Sequence, residues 1–272
     1  MILKALTAAA LFAVAATGAA SPQAGSLAAL SLAESAAPVP FGPGERATYR
    51  VTYGLFGGVG EGTVEVSGID TIRGHPVYHL RFVLKGGIPL AHVDDKQESW
   101  LDVRDLYAHR FKQDIKEVKY KRLRTLDFFP EEGVYRWLER ERTDTLAVPN
   151  PLDDISFMYW VRTIDLQVGQ TYTFNRYFKE SGNPVSVRVL RRDTVKVPFG
   201  TFPTIVLQPR IRTDGLFSEG GEAELHFSDD DRRMLVFMSV KLSIGTLKLH
   251  LKDYEPGTPL SSRRFTSAGA RS

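Results

Sequence analysis

The chain has 272 residues, 43% hydrophobic and 25% charged, enough for one large or two smaller soluble domains whose core needs no staple. Its 35 basic and 32 acidic side chains give a formal charge of +3, a mixed surface that excludes a nucleic-acid footprint. The absence of cysteine excludes disulfides, thiolate metal ligands, cysteine nucleophiles and a lipid-modified N-terminal cysteine.

Met1 to Lys4 is a short basic start, Ala5 to Ala16 is an apolar run, and Thr17-Gly18-Ala19-Ala20-Ser21 supplies small residues. This pattern predicts a secretory signal peptide over residues 1–20, cleaved after Ala19 or Ala20. The run is short for a membrane span of about 20 residues. No later stretch is long enough, so the expected product is periplasmic or secreted, with no transmembrane segment after cleavage. Residues 21–40 read as a disordered leader, 41–255 as a single β-rich domain and 256–272 as a disordered tail.

Within the domain, strands arrive one after another. Tyr49, Val51 and Tyr53 alternate with Thr48, Arg50 and Thr52, the period of a strand with one face buried. Gly57-Gly58 and Arg73-Gly74 turn the chain around Val64–Val66. Tyr78, Leu80, Phe82 and Leu84 then oppose His79 and Arg81. Gly86-Gly87-Ile88-Pro89 is expected to break this strand, and Lys96–Leu101 to resume. Further strands are expected at 108–112 and 117–129. In the second, Arg122, Arg124, Leu126 and Phe128 share one face, an odd mixture for a core.

After a turn at Pro130–Gly133 and a strand from Val134, residues 151–163 read as a helix. Asn150 is the predicted N-cap, Pro151 the first helical residue, and Asp153 and Asp154 place charge in the first turn. Apolar residues cover most of its circumference, so it should be enclosed. Strand patterns follow at 171–178, 185–195, 204–212, 222–227, 235–242 and 246–252, with a tight corner at Pro198–Pro203. One helix among about a dozen strands excludes a parallel α/β sheet. The predicted fold is all-β and mainly antiparallel: a strongly curved sheet or open barrel of about a dozen strands enclosing one central α-helix.

Few residues point to chemistry. Gly54–Gly62 is glycine-rich, but a strand follows it where a phosphate loop needs a helix. His75 and His79 lie on a strand, roughly 13 Å apart, too far to share a metal. Asp229-Asp230-Asp231 falls where strands reverse, which suits a turn better than a calcium site. His92, Asp94, Asp95 and Glu98 form an acidic group open to acid–base work, with a solvated loop as the plainer reading. On the helix, Asp153, Ser156 and Thr163 make a polar strip that hydrogen-bonds its neighbours or, with Tyr159, Trp160 and Arg162, lines a ligand cavity. Lys119, Lys121 and Arg122 are candidates for meeting an acidic partner. No catalytic residue is assigned, and neither metal nor cofactor is expected.

Four motifs carry a resemblance: Phe41-x-x-Gly44-Glu45 with Tyr49-x-Val51-x-Tyr53-Gly54, Asp154-x-Ser156-x-x-Tyr159-x-x-Arg162, Val197-Pro198-x-Gly200-Thr201-Phe202, and Ser228-Asp229-x-Asp231-Arg232-Arg233. From about Phe41 to Tyr254 the chain resembles the bacterial family known as domain of unknown function 3108. The resemblance implies an exported β-rich protein without established activity, so no catalytic residue carries over. Three functions are therefore weighed: non-enzymatic binding of a lipid or envelope polymer in the concave face, a scaffold or adaptor for another envelope protein, and a carboxylate-dependent hydrolase.

Overall fold

The computed structural model describes residues 39–54, 56–88, 91–117, 120–211, 223–241 and 245–260. The expected signal peptide, nearly all of the leader, Lys119 and the end of the tail lie outside the described residues.

Fourteen strands among the described residues form one sheet in which every neighbouring pair is antiparallel. They are β1 (Arg46–Tyr53), β2 (Phe56–Ile72), β3 (His75–Ile88), β4 (Ala91–Asp102), β5 (Ala108–Glu117), β6 (Tyr120–Phe129), β7 (Val134–Trp137) and β8 (Arg142–Thr145). After helix α1 (Asp154–Trp160) come β9 (Thr171–Phe174), β10 (Val185–Val197), β11 (Gly200–Arg210), β12 (Ala223–Ser228), β13 (Leu235–Lys241) and β14 (Thr246–Glu255). Spatial order runs from β8 down to β1, then from β14 down to β9, so β1 and β14 join the two halves of the chain.

The sheet curls and does not close. Bulges at Thr48/Tyr49, Val66/Gly68, Trp100/Leu101, Val189/Arg191 and His226/Phe227 bend individual strands. Between edge strands β8 and β9 lies irregular chain: the Ala147 amide donates to the Phe178 carbonyl, the Leu152 amide to Arg176 and the Phe178 amide to Leu152. Tyr177 and Phe178 therefore leave the strand expected over 171–178 and turn inward.

Within the expected break at Gly86–Pro89, Gly86–Ile88 are strand, since β3 runs on to Ile88; Pro89 lies outside the described residues. Gly60 and Gly86 face each other across β2 and β3. A Cβ on Gly86 would lie 2.2 Å from the Val59 carbonyl oxygen, and one on Gly60 2.2 Å from that of Lys85. Glycine here permits close approach of two backbones.

The helix also starts later than its sequence suggests. Asp153 is the N-cap, not Asn150. Pro151 accepts a hydrogen bond from the Ala108 amide, and Leu152 is held by Arg176, so the chain stays extended until Asp153. Asp153 then accepts from the amides of Ile155 and Ser156, while its own amide donates to Ser156 Oγ. All seven helical residues are buried, and the 3-10 turn Val161–Thr163 continues the rod. None of the described helices is long and apolar enough to cross a membrane.

Register sorts the concave face into two parts. Along β1–β3 it is apolar, with Tyr49, Val64, Val66, Leu80, Phe82 and Leu84 all buried. Across β4–β6 two of these rows become polar, Asp95–Ile115–Arg122 and Gln97–Gln113–Arg124, while Ser99–Phe111–Leu126 stays mainly apolar.

Candidate functional site

Three of the sequence motifs meet at the C-terminal end of the helix. Arg162, 5% exposed, donates to both carboxylate oxygens of Glu45 and to the carbonyls of Pro40 (3.0 Å) and Arg232 (2.8 Å). The Phe41 ring packs edge-on against Tyr159 at 5.1 Å, and the Arg162 guanidinium lies 5.4 Å from each ring. Arg233 donates to the carbonyl of Ile164, and Asp230 ties its own turn through Ser228 Oγ and the amides of Arg232 and Arg233. One guanidinium thus clasps the N-terminal segment, the helix and the β12–β13 turn.

Tyr159 and Arg162 line a cavity beside this clasp, closed by Glu45, Tyr49, Met158 and Phe227. Its volume is about 20 Å³, room for one water and far below the ~300 Å³ of a ligand pocket. The other helix candidates are engaged elsewhere. Asp153 and Ser156 close on each other, and Asp153 also accepts from Ser99 Oγ at 2.7 Å. Trp160 stands edge-on to Phe174 at 4.8 Å with Arg176 over its ring at 5.0 Å. Thr163 Oγ1 donates back to the Trp160 carbonyl.

His92, Asp94, Asp95 and Glu98 lie on strand β4, not in a loop, and alternation separates them. Asp95 points into the concavity, where burial raises its pKa to about 6. Glu98 is on the convex face; burial opposes its ionisation, but hydrogen bonds from His79 and Lys96 outweigh that and hold it at about 2. Asp94 and His92 are exposed, with Lys85 Nζ 4.0 Å from Asp94. The four do not share a cleft, so the paired-carboxylate arrangement a hydrolase needs is not assembled from them.

The polar wall of β4–β6 shows what single residues in the sequence did not. Arg124 is 7% exposed, faces the helix N-terminus from β6, and its Nε has no hydrogen-bond partner. Burial, then neighbouring Arg122, lower its pKa to about 10. Lys179 approaches from the chain after β9, half-buried over the Phe178 ring at 5.5 Å. Facing them is Asp154, 4% exposed, with Oδ1 unpartnered. Burial and the adjacent Asp153 raise the Asp154 pKa to about 7, against the pull of Arg124 and Lys179. Gln113, opposite Arg124 in the register, gives Nε2 to Gln97 and leaves Oε1 unpaired. Arg122 and Arg124 both stand 5.9 Å from the Trp137 ring centroid. Of the three residues expected to meet a partner, Arg122 belongs to this wall, Lys121 is exposed on the opposite face of β6, and Lys119 is not described.

A second cluster brings ligand atoms of His75, Asp102 and His109 within 4.8 Å of one another. Arg73 Nη2, a donor only, sits 3.3 Å from His109 Nδ1. The same Nη2 donates to the carbonyls of Phe128 at 2.7 Å and His109 at 3.3 Å, and His109 Nε2 lies 3.0 Å from Asp102 Oδ2, an acceptor for its proton. The other Asp102 oxygen accepts from the amides of Arg104 and Asp105. A cation would need the Nε2 lone pair, and the displaced proton would then face a guanidinium. These residues are a hydrogen-bonded corner.

Fold and site together define a class: a β-barrel-like antiparallel sheet wrapped on a buried helix, apolar along one part of its concave face and polar along another. The profile of the family described as "Protein of unknown function (DUF3108)" matches residues 48–252, and the chain belongs to that family. Among solved structures it is similar to a β-barrel-like protein of domain of unknown function DUF1849 from Brucella abortus. That similarity has a TM-score of 0.52 at 14% identity and covers 81% of this chain and 100% of the other. More distant is a provisionally named lipoprotein from Parabacteroides distasonis, with TM-score 0.35 and 10% identity over 80% of this chain and 99% of its own. No curated protein matches the sequence.

Proposed function

We propose that this is a non-enzymatic, exported protein of the cell envelope that binds an amphipathic molecule, a lipid or envelope polymer, in the concave face of its sheet. The ligand meets the polar wall of β4–β6 rather than the space beside Tyr159 and Arg162, which has room for one water. Buried Tyr159 Oη and Arg162 Nε also lack partners, but the cavity beside them holds one water at most. One observation carries this reading: Arg124 Nε and Asp154 Oδ1, on the two sides of the wall, are buried without partners beside Gln113 Oε1 in the same state, and such atoms cost about 1–3 kcal/mol each unless something satisfies them. Export rests on the pattern of Met1–Ser21. Native mass spectrometry of protein gently purified from the envelope fraction tests it. A bound adduct that organic extraction removes is the expected result; the bare polypeptide mass alone would refute the reading.

A second reading, an adaptor for an envelope protein, draws on the outer face of β6. There Leu123 is 53% exposed and Lys121 stands two residues away, beside Lys116 in the register. Neutralising Lys121 and replacing Leu123 with serine should abolish capture of an acidic partner; unchanged capture rules the adaptor out.

A further inference from the structure

We infer that the polar wall receives a phosphate ester of a hydroxylated head group, with the phosphate among Arg122, Arg124 and Lys179 and the hydroxyls at Asp154 and Gln113. This rests on the ligand-binding reading above and adds the chemistry of the head group.

The charges are unbalanced. Among the described residues, no acidic side chain lies within ion-pair distance of Arg122, Arg124 or Lys179, although Arg124 is almost wholly buried. Asp144, which faces the same region, is taken by Arg142 at 2.5 Å. Asp154 is the carboxyl left, and its ionisation is suppressed by burial and by Asp153. Asp144 acts on Lys179 only as a charge already paired with Arg142, so the three cations share one unpaired carboxyl, Asp154. Leaving a guanidinium buried and uncompensated is costly, and an incoming anion removes that cost. Water does not reach Arg124 Nε or Asp154 Oδ1, and it would not balance the charge.

The geometry selects the anion. Arg122 and Arg124 project from the same face of β6 two residues apart, and both abut Trp137, which limits their freedom. Two planar forks plus an ammonium suit the several oxygens of a phosphate better than the two of a carboxylate. Beside them stand two acceptors without donors, Gln113 Oε1 and Asp154 Oδ1. Phosphate has no proton to spare for both. Hydroxyls on the same head group do, so a phosphorylated polyol satisfies donors and acceptors at once.

Isothermal titration of the full secreted chain distinguishes the parts, using three probes: dihexanoylphosphatidylglycerol, dihexanoylglycerol and inorganic phosphate. The phospholipid should bind at least about ten-fold more tightly than the phosphate-free lipid, and R122Q or K179Q should each weaken it by about ten-fold. Both variant positions are half-exposed, and R124K, which keeps the charge, checks the buried position. If both lipids bind equally and the variants change nothing, the phosphate assignment falls while the ligand site stands. If only inorganic phosphate binds, and R122Q abolishes it, the anion site stands and the amphipathic ligand falls. If none of the three binds, both fall.

Discussion

Arg162 and Glu45 face each other inside the protein across 117 residues of sequence, with guanidinium nitrogens 2.6 and 3.2 Å from the two carboxylate oxygens. Both side chains are about 5% exposed, so removing either strands a buried charge. Arg162→Met should destabilise the protein by about 3–5 kcal/mol, and Glu45→Gln by a comparable amount. Combined, the two changes should cost less than their sum, because neither charge is then left alone. Urea denaturation of the two single variants and the double variant measures this; a strictly additive double variant would contradict the pairing.

This clasp also explains why spaced motifs were visible in the sequence. Phe41, Glu45, Tyr159, Arg162 and the Arg232–Arg233 turn are far apart in the chain and touch in space. Motifs of that kind read as functional, yet here they lock three segments together. The strands were legible because Tyr49–Tyr53 and Tyr78–Leu84 alternate cleanly with one buried face. The helix was legible from its apolar circumference, but its first residue was not, because tertiary hydrogen bonds to Pro151 and Leu152 override a good N-cap at Asn150.

Asp153 is the cap that replaced it, and it serves three donors at once. Asp153→Ala should cost about 2 kcal/mol, the upper end for a lost cap, since Ser99 also loses its acceptor. Ser99→Ala should cost about 1 kcal/mol. Asn150→Ala should cost little. Thermal melts of the three variants rank them, and a larger effect at Asn150 than at Asp153 would overturn the assignment.

Burial raises the pKa of Asp95 and Asp153 to about 6 and that of Asp154 to about 7, from an ordinary 3.8. The folded protein therefore keeps protons that the unfolded chain has released. That share of stability is complete below about pH 4 and is lost as pH rises through 6 and 7. Melting temperature should fall between pH 5 and pH 8, and Asp154→Asn should flatten the decline, stabilising the protein at pH 8 by about 1–2 kcal/mol. A wild-type melting temperature that rises over this interval would contradict the burial of these carboxyls. Glu98, Asp102 and Glu224 work in the opposite sense, their pKa values lowered by hydrogen bonds. Their share is lost only in acid, so greatest stability falls near pH 4.

Gly86 leaves no space for a side chain, since the Val59 carbonyl occupies the position of its Cβ. Gly86→Ala should destabilise by about 1–3 kcal/mol by forcing β2 and β3 apart. Gly57→Ala, on β2 before its pairing with β3 begins and with open space around it, is the control in chemical denaturation; equal effects at the two sites would remove the close-approach argument.

The polar wall was only half legible. The mixed face of Arg122, Arg124, Leu126 and Phe128 stood out in the sequence. That Asp154 and Lys179 would face it could not be read, because the helix and the chain after β9 arrive through long-range packing. Conversely, His92, Asp94, Asp95 and Glu98 looked like a group only while alternation along a strand was not assumed. Asp95 and Glu98 point to opposite faces.

The central claim is that the helix is a fixed filling of the hollow and that a ligand meets the wall beside it. Amide hydrogen exchange of residues 155–160 in the ligand-free protein tests this most directly. A fixed helix exchanges only through global unfolding, with protection equal to that of core strands β1 and β3. Exchange of these amides orders of magnitude faster than of those strands would mean that the helix leaves the hollow, and that the cavity beside Tyr159 and Arg162 opens to a ligand after all.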